Sequence, residues 1–503
     1  MGSSERIAKL EAELAAKDDR IADLEAAVAA RDELIAEQAA RIAELERQVA
    51  DLLAQVALLT EKLNQSSHNS DKPPSSDPPG TGTDKPGGKG KGKGKKRRRK
   101  RGGQRGHKGS CRELVPESEV NEFVNYFPDQ CENCWASLPE IPDASATRFQ
   151  VTEVPPVKPH TTEYRCHAVT CSCGYRTRGQ FGPQVPSSPF GPRLMGIIGL
   201  LTGVYNQSRR KAQSLLWDLC GVRISLGGLS NVEARVSEAT KSAVDEAWKR
   251  AEGAPVKHTD GTTWLQAGAR LAVWTIATAM VTVYKIVANS SKATLEPLYG
   301  ALSGILVSDR ATALNFWAMQ RRQVCWAHIL RRFIGFSERS GPAAELGREL
   351  LDYTGLLFEY WHAYKDGTID RSTFRAWMKP VRAGIEDALE RAVAAGLKGI
   401  SGSCANLLEH KQALWTFADT DGVEPTNNHA ERELRAFVLW RKRSFGSQSE
   451  RGNRFAERLM TVAATARKQN RDVLDFLASC CEAAISGTET PSLFAEPATR
   501  IAA

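Results

Sequence analysis

The chain has 503 residues, 41% of them hydrophobic, enough for several domains with true cores. Its longest apolar run, residues 194–205, is too short and too glycine-rich to span a bilayer, and the polar start Met1-Gly2-Ser3-Ser4-Glu5-Arg6 lacks the apolar core of a signal peptide, so a cytosolic protein is expected. The net charge of +9 is concentrated: residues 85–112 hold fourteen Lys and Arg and no acid, and without them the remainder is negative. Eleven cysteines, in two close pairs and several singles, suit metal ligation and buried thiols better than a disulfide framework.

Ile7, Leu14, Ile21, Val28, Ile35, Ile42, Val49, Val56 and Leu63 recur every seven residues, with Leu10, Leu24, Leu45, Leu52 and Leu59 between them. β-Branched residues at a with Leu at d favour a parallel two-stranded coiled coil over a lone amphipathic helix. Lys17, Arg31 and Gln38 interrupt the d sites, so the seam is firmest from Ile42 onward. Residues 5–63 are therefore expected to multimerise the chain, as a dimer or a higher oligomer.

Residues 64–112 turn to Ser, Pro, Gly, Lys and Arg, a composition that builds no core and predicts a disordered linker. Its Gly-Lys alternation runs into Arg97, Arg98, Arg99, Lys100 and Arg101, with Arg105 beyond. Such an arm meets phosphate backbones by counterion release without reading sequence; a solvated tail is the plainer alternative.

Residues 113–183 carry Cys131-Glu132-Asn133-Cys134 and Cys171-Ser172-Cys173-Gly174. Cys131, Cys134, Cys171 and Cys173 offer four soft thiolates, a tetrahedral set for structural Zn²⁺, with Cys166 or His167 as substitutes. Unmetallated thiols in a small β domain are the other reading. Strand-like residues 149–154 and 161–167 predict a ribbon between the two pairs. Residues 190–250 are helical, and 208–219, a turn at Gly221 and 226–236 have the outline of a helix-turn-helix, with Arg209, Arg210 and Lys211 on its first helix. That outline suits a DNA groove and equally an ordinary packing unit.

Residues 254–264 predict a short strand running into Asp260 and a glycine turn, and residues 304–310 a second buried strand ending in Asp309. An acid at the end of an apolar strand lies at the sheet edge, where open α/β sheets place ligands; singly, each serves as well in a turn or cap. Residues 271–278 and 280–288 predict a hairpin and 293–302 a helix. Val324 marks a short strand before Cys325-Trp326-Ala327-His328, a C-x-x-H element that suggests a buried Cys325 and an active-site or DNA-contacting His328. Residues 341–422 form a helical insertion with Trp361, Trp377 and Trp415 as its core. Pro425 then halts the chain, Asn427 and Asn428 open a helix, and Glu431 stands at capping-box spacing from Asn428. Arg432, Arg435, Arg441, Lys442 and Arg443 surround this acid with cations, as phosphate binding would require. Residues 455–469 predict a long helix, 473–485 a last helix against the sheet, and 486–503 a tail.

Taken in order, Asn69-Ser70-Asp71-Lys72-Pro73-Pro74-Ser75-Ser76-Asp77, Gly102-Gly103-Gln104-Arg105-Gly106-His107-Lys108-Gly109, the two cysteine pairs, and residues 258–264, 307–310, 325–328 and 427–435 resemble bacterial DDE transposases of the insertion sequence sixty-six family. The resemblance covers nearly the whole chain. It implies an α/β fold with a ribonuclease-H-like catalytic core over residues 254–485, interrupted by the helical insertion. It implies that Asp260 bridges two Mg²⁺ or Mn²⁺ ions, Asp309 holds one and Glu431 the other. His328, Asn427, Asn428 and His429 would support the site, and Arg435, Arg441, Lys442 and Arg443 would contact phosphates.

The implied reaction is cleavage at the element's ends, exposing a 3′-OH that attacks target DNA. The expected partners are end and target DNA, further copies of the chain and accessory proteins of the same element, with no membrane, in the cytoplasm on the bacterial nucleoid. Gly261 departs from the commoner family pattern of Glu after the first Asp, which bears on a second acid there and not on Asp260. Two other classes are a catalytically silent DNA-binding regulator and a ribonuclease-H-like nuclease without strand transfer. The complete acid set weighs against the first, and the coil, linker and cysteine module against the second.

Overall fold

A computed structural model of the chain describes residues 2–70, 77, 113–143, 145–182 and 185–494. The basic arm, including Arg97, Arg98, Arg99, Lys100, Arg101 and Arg105, lies outside the described residues. The chain divides into two compact units: Met1–Gly82, Lys241–Asp472 and Ser492–Ala503 in the first, Thr83–Thr240 and Val473–Pro491 in the second. Helix α1 (Ser3–Asn64) is one continuous 62-residue helix of the first unit. Its heptad residues stay exposed, Ile35 at 60% and Ile42 at 56%.

In the second unit, no described residue of 113–182 is buried. Its strands are β1 (Ala168–Thr170) and β2 (Arg176–Arg178), an antiparallel hairpin flanking Cys171 and Cys173. The ribbon expected between the cysteine pairs is thus not formed. Residues 149–154 have the alternation of a strand, yet Phe149, Val151 and Val154 stay exposed. Pro155, Pro156 and Pro159 follow directly and withhold the backbone donors that a ladder needs.

The rest of this unit is helical: α2 (Pro192–Gly199), continued by a π-turn at Leu200–Val204, then α3 (Arg209–Cys220) and α4 (Leu226–Ala239). Ser208 and Ser225 cap α3 and α4 by accepting from the Lys211 and Gly228 N–H groups, and Gly221 ends α3 in the left-handed region that favours glycine. Arg209 is paired with Glu233 at 2.6 Å, while Arg210 and Lys211 are exposed.

In the first unit, α5 (Lys241–Gly253) leads into a five-stranded mixed sheet. Its strands are β3 (Val256–Gln266), β4 (Ala269–Ala277), β5 (Thr282–Val287), β6 (Ile305–Ser308) and β7 (Arg322–Val324), with α6 (Lys292–Tyr299) between β5 and β6. The order is β5-β4-β3-β6-β7; the first three strands run antiparallel, and β6 and β7 join parallel to β3. Strand β3 does not turn at Gly261 but continues to Gln266. Gly261 is opposite Trp274, and a Cβ there would lie 2.5 Å from the indole. This glycine serves close approach rather than a turn.

One sheet face packs on α7 (Trp326–Ser337) and the helical insertion: α8 (Pro342–Lys365), α9 (Arg371–Ala394), α10 (Ser401–Glu409), α11 (Lys411–Leu414) and α12 (Thr416–Asp419). Trp415 is buried there and Trp361 half-buried on Phe374 and Phe417, but Trp377 is exposed and lies on Tyr360 instead of in the core. The other face takes α13 (Asn428–Ser444) and α14 (Glu450–Lys468), where Leu434, Phe437, Ala456 and Met460 meet Trp264, Tyr284 and Ile286. Thr465, Thr461 and Glu457, four residues apart on α14, accept from the N–H groups of Thr282, Tyr284 and Ile286, covering an otherwise open edge of β5. Helix α15 (Val473–Ser486) belongs to the second unit and packs on α2 and α4, so α14 is the last helix on the sheet.

Candidate active site

The parallel register sets His258 opposite Val307. Two residues further along both strands, Asp260 and Asp309 therefore stand side by side. Strand β7 extends the row, since the Cys325 N–H donates to the Ser308 carbonyl at 2.8 Å. The Asp309 carboxylate accepts from the Ala311 N–H at 2.9 Å, which fixes the turn after β6. Beneath it lies the fully buried Arg322. Its guanidinium donates to the carbonyls of Asp309 (2.8 Å) and Ala311 (3.3 Å), to Ser308 Oγ (3.2 Å) and to Asn315 Oδ1 (3.1 Å).

Glu431 comes from the first turn of α13, and this helix is pinned to β3 at both ends. At its start, the Asn427 Nδ2 donates to the Thr259 carbonyl (2.7 Å), the Asn427 N–H donates to Cys325 Sγ (3.1 Å), and the Trp326 N–H donates to the Pro425 carbonyl (2.9 Å). At its end, the Ser447 N–H donates to the Leu265 carbonyl and the Ala267 N–H to the Ser447 carbonyl. The capping box expected from Asn428 to Glu431 is absent: Asn427 is the N-cap, and its side chain caps nothing because it is committed to β3. Ala430, Leu434 and Phe437 form the buried stripe, which leaves Glu431 facing the row of strand ends.

The electrostatics record this convergence. Burial, then the negative charges of Asp309 and Glu431, push the Asp260 carboxyl up to about 8. Glu431 Oε1 is buried with no hydrogen-bond partner, 3.7 Å from His328 Nδ1, which is likewise unpartnered. Among the described residues, Cys325, His328 and Glu431 are the group of donors close enough to share an ion, their ligand atoms all within 4.8 Å of one another. Cys325 is fully buried, and burial pushes its thiol up to about 11.

His429 does not face the acids. Its Nε2 lies 2.9 Å from Lys468 Nζ, and Lys468 in turn lies 3.2 Å from Glu433. Burial, then the charge of His429, lowers His258 to about 3, so this histidine is held neutral. Asn428 opens α13.

Of the predicted phosphate contacts, Arg435, Lys442 and Arg443 are exposed on α13. Arg441 is half-buried and donates to Thr262 Oγ1 (3.1 Å) and to the Thr263 carbonyl, so it fastens the helix to β3. Cys131 and Cys171 are each held below the ordinary thiol range by backbone N–H groups of their own loops, those of Cys134 and Cys173 first. The four cysteines do not converge into one donor group. Sequence reasoning missed Arg322, a lone basic residue before a short strand with nothing local to mark it, and missed Thr259 as the anchor of α13.

No helix among the described residues is long and apolar enough to cross a membrane. No curated protein matches the chain. A family of unknown function, DUF6444, matches residues 25–113, across α1 and the linker. The model of the transposase IS66 family matches residues 206–455, which contain Asp260, Asp309 and Glu431. The chain belongs to the IS66 family of transposases, DDE-type nucleotidyl transferases that act on DNA and generally use a divalent metal.

Proposed function

We propose that this transposase cleaves DNA at the ends of its insertion sequence and joins the exposed 3′-OH to target DNA, with Asp260, Asp309 and Glu431 as its catalytic acids. The observation that carries this is geometric: the parallel register of β3 and β6 brings Asp260 beside Asp309, and Asn427 ties the start of the Glu431 helix to the Thr259 carbonyl next to Asp260; the raised Asp260 carboxyl agrees with it. The sheet order β5-β4-β3-β6-β7, antiparallel then parallel, fits a ribonuclease-H-like core.

These acids fit Mg²⁺ or Mn²⁺: all three offer hard oxygens, and the Asp260 carboxyl is buried against the negative charges of Asp309 and Glu431, which a cation would relieve. When bound, a pair of such ions supplies the charge that steadies the attacking and leaving oxygens of an in-line displacement at phosphorus. The protein's own part is positioning. Arg322 fixes the turn of Asp309, and Asn427 holds the start of the Glu431 helix against β3 beside Asp260. Arg435, Lys442 and Arg443 reach phosphates from the exposed side of α13.

The heptads of α1 multimerise the chain, as a dimer or a higher oligomer, and the basic arm supplies contact with DNA that does not depend on sequence. The module of residues 113–182 has no buried residue and two close cysteine pairs that stand apart; Zn²⁺ on Cys131, Cys134, Cys171 and Cys173 would have to draw the two pairs together, and would then hold this coreless segment folded. Accessory proteins of the same element and the nucleoid of the bacterial cytoplasm complete the setting.

Labelled element-end DNA with Mg²⁺ tests the reading. Wild type yields cleaved and joined products, and Asp309→Ala yields neither. Ends bound but uncut by the wild type would make the chain a regulator or an enzyme that needs an accessory protein of the same element, and cutting without joining would make it a nuclease.

A further inference from the structure

Cys325 and His328 stand three residues apart at the start of α7, so both side chains lie on one face of its first turn. Glu431 approaches that face from α13. The simplest use of these residues is a helix start beside a histidine–glutamate hydrogen bond, but the atoms do not make that bond. His328 Nδ1 and Glu431 Oε1 are 3.7 Å apart, beyond hydrogen-bonding distance, and each is buried without a partner. Two ligands held about 2.1 Å from a tetrahedral zinc-class ion lie roughly 3.4 Å from one another. Cys325 Sγ, within 4.8 Å of both, already accepts from the Asn427 N–H, as metal-bound thiolates commonly do.

We infer that Cys325 Sγ, His328 Nδ1 and Glu431 Oε1 bind one borderline transition-metal ion of the zinc class. Sulfur, imidazole nitrogen and a single carboxylate oxygen are the wrong set for Mg²⁺ and the right one for Zn²⁺ or Co²⁺. Binding displaces the Cys325 thiol proton to solvent and leaves the ion held by thiolate, neutral imidazole and carboxylate. The site stands without the proposed catalytic reading. Its consequence rests on that reading: the ion anchors the catalytic glutamate through Oε1 and leaves its second oxygen for the cation that Asp260 and Asp309 would hold.

The test uses full-length protein stripped of metal by chelation and titrated with Co²⁺, following thiolate-to-cobalt charge-transfer absorbance. Cys325→Ser and His328→Gln are compared with their parent, both in the wild-type background and in one carrying Cys131→Ser, Cys134→Ser, Cys171→Ser and Cys173→Ser. In each background the two variants are expected to bind one Co²⁺ fewer per chain, or to bind it more than about tenfold more weakly. Circular dichroism confirms folding. If Cys325→Ser unfolds, His328→Gln carries the comparison, since its side chain is partly exposed. Unchanged stoichiometry and absorbance in the folded variants would overturn the site. Asp309→Asn separates the two proposals, because it should keep the Co²⁺ signal and lose DNA cleavage; a variant that keeps both leaves the metal site standing and removes the catalytic assignment.

Discussion

The Asn427 side chain donates to the Thr259 carbonyl at 2.7 Å, joining the start of the Glu431 helix to the strand residue immediately before Asp260. Two acids separated by 171 positions in the chain are thereby placed by one buried amide. Asn427→Ala removes the donor and leaves the Thr259 carbonyl without it, at a cost of about 1–3 kcal/mol in stability. Cleavage of element ends should fall further than stability does, by roughly a hundredfold, because a small displacement of a catalytic group costs that much. Denaturant unfolding and single-turnover cleavage on the same preparation check this; a cleavage rate within about twofold of wild type would contradict it.

The raised Asp260 carboxyl makes stability depend on pH. A group whose folded pKa of about 8 exceeds its unfolded value of 3.8 stabilises the fold at low pH and loses that contribution as pH rises between the two. In metal-free protein, Asp260→Asn should therefore gain melting temperature relative to wild type, and the gain should be larger at pH 8 than at pH 5. Mg²⁺ should narrow the gap at pH 8. A gap that stays constant with pH would refute the account of Asp260.

His258 has the opposite sign. Its folded pKa of about 3 lies below the ordinary 6.5, so its contribution is complete above pH 6.5 and is lost as pH falls toward 3. His258→Asn should flatten the acid limb of the melting curve, which a thermal scan in steps from pH 7 to pH 4 would follow.

Gly261 is set by Trp274. A Cβ at this position would lie 2.5 Å from the indole, whose Nε1 donates to Ser290 Oγ at 3.1 Å. Gly261→Ala should cost about 1–3 kcal/mol through overpacking, and Trp274→Leu in the same chain should recover part of that loss. An unaltered melting temperature in Gly261→Ala would show that the ring moves freely.

Arg322 is buried, and its guanidinium donates to Ser308, Asp309, Ala311 and Asn315, around the turn that carries Asp309. Arg322→Met strands those acceptors and should cost about 2–5 kcal/mol. Arg322→Lys should recover little, because an ammonium cannot reproduce the planar fork. Chemical denaturation of the two variants separates shape from charge.

These positions show what the sequence carries. Asp309 was legible at the end of an apolar strand, Glu431 by the cations around it, and the helical insertion by its composition. The two helices on either side of the Gly221 turn were legible in residues 208–236. The misread features depend on partners distant in the chain. Gly261 looks like a turn until Trp274 is placed across from it. Asn428 and Glu431 have capping-box spacing, but Asn427 takes the cap position and spends its amide on β3. Residues 149–154 alternate like a strand, yet the prolines that follow deny them a ladder.

Single-turnover cleavage of labelled element-end DNA by Asp260→Asn, Asp309→Asn, Glu431→Gln and their pairwise combinations tests the central claim most directly. If the three acids act as one unit, each single variant loses more than about a thousandfold and the double variants lose little more. A folded single variant that cleaves near the wild-type rate would contradict the assignment.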